Sequence, residues 1–245
     1  LYNKNGNIIY DGDWVNGKME GNGIMYHEDG SYYKGTFKND LPNGKGQFYN
    51  EKGNIIYDGD WVCANIEGNG IYYYEDDTYY KGTFKNYLRN GKGILYNGNG
   101  NIIYDGDWVN DEKEGNGIFY HEEGSYYKGT FKKDLPNGKG QIYNQKGNII
   151  YDGYLINGNL EGIGLYYYSD GSYYIGQFKN NLRNGKGKLY NKNGKIIYEG
   201  DWFNNKKEGN GKYIDENGIY YIGQWKNDLK NGKGKICLKD GIILY

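Results

Sequence analysis

Cysteine, proline and histidine each occur only twice in these 245 residues, and each scarcity excludes something. Cys63 and Cys237 stand at unmatched points of the chain and cannot supply a disulfide framework. With no N-x-S/T sequon present, this argues for an intracellular, cytoplasmic chain. No apolar run approaches the roughly 18 residues of a membrane-spanning helix. The net charge of −1 gives no global attraction for nucleic acid or an anionic membrane. A segmental helical period is also missing. Disorder does not explain the lack of proline and long apolar runs, because disordered chains are poor in aromatics. This chain has 32 tyrosines and 43 glycines, a composition of short strands and glycine turns.

These residues are ordered in a phrase that restarts ten times, clearest at Tyr33 to Tyr57. A tyrosine, a glycine two on and an aromatic two further open it, as Tyr33-x-Gly35-x-Phe37. Openings fall at Tyr10, Tyr33, Tyr57, Tyr80, Tyr104, Tyr127, Tyr151, Tyr174, Tyr198 and Tyr221. The spacing alternates 23 and 24, so the full period is a 47-residue pair. A fixed period of this size marks a repeat array, read here as one array over residues 1–245 with a half repeat at 1–9. Because the chain opens inside a repeat, it is expected to be a piece of a longer protein.

Each repeat reads as one β-hairpin. Ile8, Tyr10, Gly12 and Trp14 share one side of an extended segment, and Ile9, Asp11, Asp13 and Val15 the other. Gly17 to Gly21 is expected to turn the chain, and in the even repeat Leu41-Pro42-Asn43-Gly44; Asp29-Gly30 marks the connection between hairpins. The expected fold is all-β: an elongated, open, single-layer antiparallel meander of about ten stacked hairpins, twisted or curved, advancing about 9–10 Å per repeat. Aromatics form columns along it, and the recurring glycines permit close packing beside the rings. Charges form stripes too, Asp13, Asp60, Asp107 and Asp201 in odd repeats and Lys45, Lys92, Lys139, Lys186 and Lys233 in even ones.

The phrase Tyr-x-Gly-x-aromatic, with Gly21-x-Gly23 or Gly44-x-Gly46 following, resembles the MORN (membrane occupation and recognition nexus) repeat in ten tandem copies. The resemblance implies an open twisted sheet with an aromatic-lined groove. It also implies a scaffold in ciliary, cytoskeletal or cortical structures that binds partner helices, with membrane and phosphoinositide binding long attributed to the family. Carried onto this chain, the partner-binding groove falls on Tyr10, Trp14, Tyr33, Phe37, Tyr57, Trp61, Tyr80, Phe84, Tyr104 and Trp108, and continues through Tyr127, Phe131, Tyr151, Leu155, Tyr174, Phe178, Tyr198, Trp202, Tyr221 and Trp225. The seventh repeat departs most: Tyr154 stands for an Asp, Leu155 for a Trp and Ile163 for an Asn. With Ile156, Leu160 and Leu165 it is the expected partner contact. Asp77 replaces a turn glycine, and Tyr87 an Asp.

Other chemistries fit the residues less well. A choline- or glucan-binding repeat would carry consecutive aromatics after a Gly-Trp opening, and this phrase does not. His27 and His121 lie four repeats apart, too far for one metal; the N-G-K-G turns lack the P-loop pattern and a following helix. Ser31, Ser125, Ser169 and Ser172 sit in or beside turns with no base to activate them, and Glu20, Glu67, Glu114, Glu161 and Glu208 recur as a structural stripe does. The expectation is therefore no enzyme, no metal and no cofactor. Expected partners are a protein segment such as an amphipathic helix, and a second copy through open array ends. Anionic lipid is the alternative, and nucleic acid is not expected.

Overall fold

The computed structural model describes residues 1–244, which contain strands and turns and no helix. The twenty strands fall into two compact units, residues 1–120 and those from 121 on. The first unit has ten strands, from Tyr10–Val15 and Lys18–Tyr26 to Ile102–Val109 and Glu112–Tyr120. Each pairs antiparallel with the next in sequence. The second unit repeats the arrangement from Tyr126–Lys132 to Leu229–Cys237. Each unit is an open, single-layer meander, the architecture that ten hairpin repeats require.

Register is set by glycine. Within each unit every strand contributes one glycine to a seam, Gly12, Gly23, Gly35, Gly46, Gly59 and onward in the first, each paired directly with the next. The opening tyrosine of each repeat lies along this seam: a Cβ on Gly12 or Gly23 would stand 2.6 or 2.4 Å from the Tyr10 hydroxyl. No side chain other than hydrogen leaves room for the ring. The tyrosine hydroxyl then donates to the carbonyl three residues on, from Tyr10 to Asp13 at 3.1 Å and from Tyr198 to Asp201 at 3.0 Å. A short-range bend in the strand after each opening glycine is thereby tied to the ring.

The hairpin turns begin one residue earlier than the sequence pattern suggested in the first hairpin and two residues earlier in the second. Asn16-Gly17 turns the first hairpin and Asn39-Asp40 the second, all four residues at positive φ (52°, 78°, 50° and 70°). Of Gly17–Gly21 only Gly17 is in the turn, and of Leu41–Gly44 none is: strands already start at Lys18 and Leu41. Two-residue turns with both residues left-handed match the right-handed twist of the strands they join. The pairs Asn–Gly, Asn–Asp and Asn–Asn satisfy that need, whereas Cys63-Ala64 adopts it with neither residue of that kind and Asn86-Tyr87 with only the first. Gly21 and Gly44 instead sit beside the register shift of each hairpin, where φ is again positive at 69° and 101°. Between hairpins, Asp29-Gly30 turns as expected, with the Gly30 amide donating to the His27 carbonyl.

The recurring glutamates have a structural role. Glu20, Glu67, Glu161 and Glu208 each accept the backbone N–H at the start of the next hairpin's turn, at 2.8–3.0 Å. Successive repeats are fastened turn to turn by these bonds, each worth about 1.5–3 kcal/mol when the acceptor is charged and less where it is exposed.

Candidate functional site

The two faces of each sheet differ in kind. One carries the aromatic column. In the first unit Tyr10, Tyr33, Tyr57 and Tyr80 lie edge-to-face against the aromatic of their own repeat and that of the next: Tyr10 meets Trp14 at 5.3 Å and Phe37 at 5.0 Å, and Tyr33 meets Phe37 at 5.2 Å and Trp61 at 5.1 Å. The second unit continues likewise from Tyr174 with Phe178 and Trp202 to Tyr221 with Trp225. Trp61, Trp108 and Trp202 donate Nε1–H to the carbonyls of Gly46, Gly93 and Gly187.

Of the twenty aromatic-groove positions named from the sequence, every one but Trp14 is buried, Leu155 included; Trp14, in the first strand, is 45 % exposed. A single-layer sheet buries this row because a second row covers it. Arg89 stands 4.1 Å from the Trp108 ring and Arg183 4.1 Å from the Trp202 ring, while Lys207 lies 4.9 Å from Trp225. Pro42, Ile66 and Leu160 hold the equivalent paired positions opposite Phe37, Trp61 and Leu155. Burial pushes the Tyr33 and Tyr151 hydroxyls up to about 12, opposed by their backbone hydrogen bonds to Thr36 and Tyr154. Burial also lowers the Lys207 ammonium, against the pull of Asp228. The rings are the core of the array, and a molecule approaching this face meets their aliphatic and cationic cover.

The other face holds open grooves over the glycine seam. In the first unit one of about 560 Å³ is lined by Ile24, Lys34, Lys45, Gln47 and Asp58. In the second, one of about 1100 Å³ is lined by Ile175, Lys188, Glu199, Lys212, Ile222 and Lys235. Here the charge stripes become ion pairs: Lys45–Asp60, Lys92–Asp107 and Lys186–Asp201, each 2.5 Å. The aspartates of this stripe also accept an amide across the bulge, from Asn22 to Asp13 and from Asn69 to Asp60 at 2.9 Å. Burial tends to raise the Asp60 carboxyl, but the Lys45 hydrogen bond and the Asn69 amide outweigh it and hold it below its usual range.

The seventh repeat interrupts this pattern. Tyr154 and Ile163 occupy the Asp and Asn positions, facing Lys139 and Gln177 across the ladder, and they are 53 % and 66 % exposed. Leu155 and Leu160, expected as contacts, are instead core at 2 % and 7 %; alternation puts them on the aromatic side. Ile175, 39 % exposed, pairs directly with Leu165. Ile175 and Ile222 stand where earlier even repeats carry Lys34, Lys81 and Lys128, a change visible in the sequence once the 47-residue pairs are aligned. Among the described residues no group of histidine, cysteine and carboxylate side chains could hold a metal ion. None contains a helix long and apolar enough to cross a membrane.

This geometry defines a class, a tandem array of glycine-seamed, tyrosine-packed β-hairpins. The MORN-repeat model matches residues 10–32, 33–55, 57–79, 80–102, 104–126, 127–149, 151–173, 174–196, 198–220 and 221–242, and the chain belongs to the MORN repeat family. Its matches begin at the ten opening tyrosines. Alsin of Rattus norvegicus is 46 % identical over 39 residues, which is 16 % of this chain. The chain spans only about 2 % of alsin's length. Among solved structures, the E1021V mutant of the TCP10 domain of Danio rerio CPAP aligns over 91 % of this chain and 96 % of that one, at 12 % identity and a TM-score of 0.31.

Proposed function

We propose that this chain is a non-enzymatic scaffold that binds a protein segment along its grooved face, within a cytoskeletal, ciliary or cortical assembly of the cytoplasm. MORN repeats are in general non-catalytic repeat modules. One observation carries the reading: in the second unit the groove of about 1100 Å³ exposes isoleucine and lysine side chains side by side over a rigid glycine seam. A mixed apolar and charged trough of this kind suits an amphipathic segment. The aromatic column, spent on internal packing, makes the platform stiff.

A second reading, recruitment to an anionic membrane, is favoured by the concentration of lysines in the same groove. Attraction to an anionic leaflet takes clusters of about 4–8 basic residues, and several of these lysines are paired with carboxylates. Flotation with vesicles, with and without acidic phosphoinositides at near-physiological salt, separates the two. The scaffold reading expects the chain to stay with the soluble fraction. Robust lipid-dependent flotation would replace it with the membrane reading.

A further inference from the structure

In four of the five odd repeats the bulge position on the grooved face is an aspartate that takes a backbone amide: Asp13, Asp60, Asp107 and Asp201 accept from Asn22, Asn69, Asn116 and Asn210. The fifth, at Tyr154 and Ile163, gives up that pair for two large apolar side chains more than half in water. Nothing in the fold requires this. The array closes its bulges elsewhere with Asp–Asn, or in even repeats with the Thr36, Thr83 or Thr130 hydroxyl donating to the carbonyl of Asn43, Asn90 or Asn137, or with the Gln177 or Gln224 carbonyl oxygen accepting from the Lys186 or Lys233 amide. Leu165 and Ile175 extend the same patch across the next strand pair, and Ile156 stands exposed at its turn end.

The patch runs without a break into a basic groove. Ile175 pairs with Leu165 on one side and with Lys188 on the other; beyond it follow Glu199, Lys212, Ile222 and Lys235 in direct register. The groove and its rim hold Lys186, Lys188, Lys212, Lys233 and Lys235 against Glu199 and Asp201. Lys186 pairs with Asp201 at 2.5 Å and Lys188 with Glu199 at 2.8 Å, so Lys212, Lys233 and Lys235 remain without an ion pair. The equivalent stretch of the first unit carries Lys34, Lys45, Lys81 and Lys92, of which Lys45 pairs with Asp60 and Lys92 with Asp107, and it has Ile71 and Ile94 where the second unit has Lys212 and Lys235. Lys212 rests on the Tyr220 ring at 3.8 Å, while Glu199 opposite it in the ladder pairs with Lys188 instead.

We propose that the grooved face of repeats seven to ten docks one partner segment with two blocks. Its apolar block lies on Tyr154, Ile163, Leu165 and Ile175, and its acidic block on Lys212, Lys233 and Lys235. The inference rests on the segment-binding reading above and adds its location and chemistry. The charge left over in the groove selects an acidic occupant, and the apolar patch at only one end fixes its direction. From the strand Ile149–Ile156 to Leu229–Cys237 there are seven strand spacings, about 34 Å. An extended segment crosses that with about ten residues, a helix with about 22.

The test is a selection from a library of displayed random peptides on the 245-residue chain, with selected peptides then measured by fluorescence anisotropy. Two variants are compared with the parent: Tyr154→Asp with Ile163→Asn, and Lys233→Gln with Lys235→Gln. The first restores the residues of the other odd repeats and the second alters exposed side chains, and thermal melts confirm that both fold. The expected result is enrichment of peptides with an apolar block next to an acidic one, each variant weakening them at least about tenfold. Peptides that bind both variants as well as the parent, or that lack an acidic block, overturn the site while leaving the segment-binding scaffold standing. No enrichment on the parent overturns both. Binding to anionic vesicles that needs the lysines but ignores Tyr154 and Ile163 gives the face to a membrane. Self-association lost in both variants gives it to a second copy.

Discussion

Tyr57 lies so close upon Gly70 that a Cβ there would stand 2.4 Å from the tyrosine oxygen. Gly70 is not at positive φ, so backbone conformation does not demand glycine; the ring does. Gly70→Ala is therefore expected to cost roughly 1–3 kcal/mol as overpacking. Gly53→Ala, at φ 80° with nothing within 4 Å of its Cβ position, exacts only the left-handed penalty of about 1 kcal/mol. Thermal melts of the two variants check this, and an equal or smaller loss for Gly70→Ala would contradict the role given to the seam.

Alkaline pH is expected to unfold the array. Burial raises the hydroxyls of Tyr33 and Tyr151 to about 12 and those of Tyr57, Tyr80, Tyr174 and Tyr198 further, above the ordinary 10.0. The folded state holds these protons more tightly than the unfolded one. Their contribution is complete below pH 10 and is lost as pH rises through the folded values. Phenolate absorbance and far-ultraviolet circular dichroism followed together should change in one cooperative step. Buried tyrosines ionising well before the strand signal falls would count against this packing.

The aspartates of the grooved face set a smaller acid limit. Asp60 and Asp107 feel burial, which raises them, but are held below the ordinary 3.8 by Lys45 and Lys92 and by the Asn69 and Asn116 amides. A lowered carboxyl contributes stability above its unfolded pKa, lost as pH falls through the folded value. Lys45→Gln is expected to move the Asp60 titration upward and to cost at most about 1 kcal/mol, since the lysine is exposed. Carboxyl-carbon NMR titration of Asp60 reads the shift directly.

Asp77 adopts φ 65° in the turn where its counterparts Gly30, Gly124 and Gly171 adopt 85–91°. Asp77→Gly removes a left-handed non-glycine residue at the cost of some unfolded-chain entropy, and a net gain of about 0.5 kcal/mol is expected. A differential scanning calorimetry melt should shift upward. A downward shift would mean that the aspartate makes a compensating contact in the turn.

Neighbouring residues of the seventh repeat should respond oppositely. Leu155→Asp places a charge in the core, where Leu155 is 2 % exposed, and is expected to cost about 3–5 kcal/mol and melt the repeat. Tyr154→Asp, one residue away on the grooved face, should stay within about 0.5 kcal/mol. Limited proteolysis of both variants at matched temperature separates them. Similar cleavage would show that the two side chains do not point to opposite faces.

Much of this was readable in the residues alone. The period, the strand alternation at Tyr10-x-Gly12-x-Trp14 and the stripes of Asp60 and Lys45 needed only spacing. The turn of the second hairpin was misplaced by two residues because Leu41-Pro42-Asn43-Gly44 looks like a turn by composition, while the chain reverses at Asn39-Asp40. There the twist of the flanking strands selects the left-handed pair, and Pro42 is left in the strand with its carbonyl accepting the Ala64 amide at 2.8 Å. The contact residues of repeat seven divided for a similar reason. Leu155 and Tyr154 are equally apolar in the sequence, and only the pleat sends one inward and one to water.

The sequence by itself determined the architecture, because a tyrosine that needs a glycine seam and an aromatic that needs the next tyrosine admit one register when repeated ten times. Tertiary structure alone decided which row of side chains is buried. The aromatic row is the more conspicuous in the sequence, yet Arg89, Arg183 and Lys207 cover it, and desolvated rings gain more by packing on one another than by facing water. What remains open is the glycine-floored side. There the seam row turns only backbone outward, between flanking rows that carry the lysines and isoleucines of the last repeats.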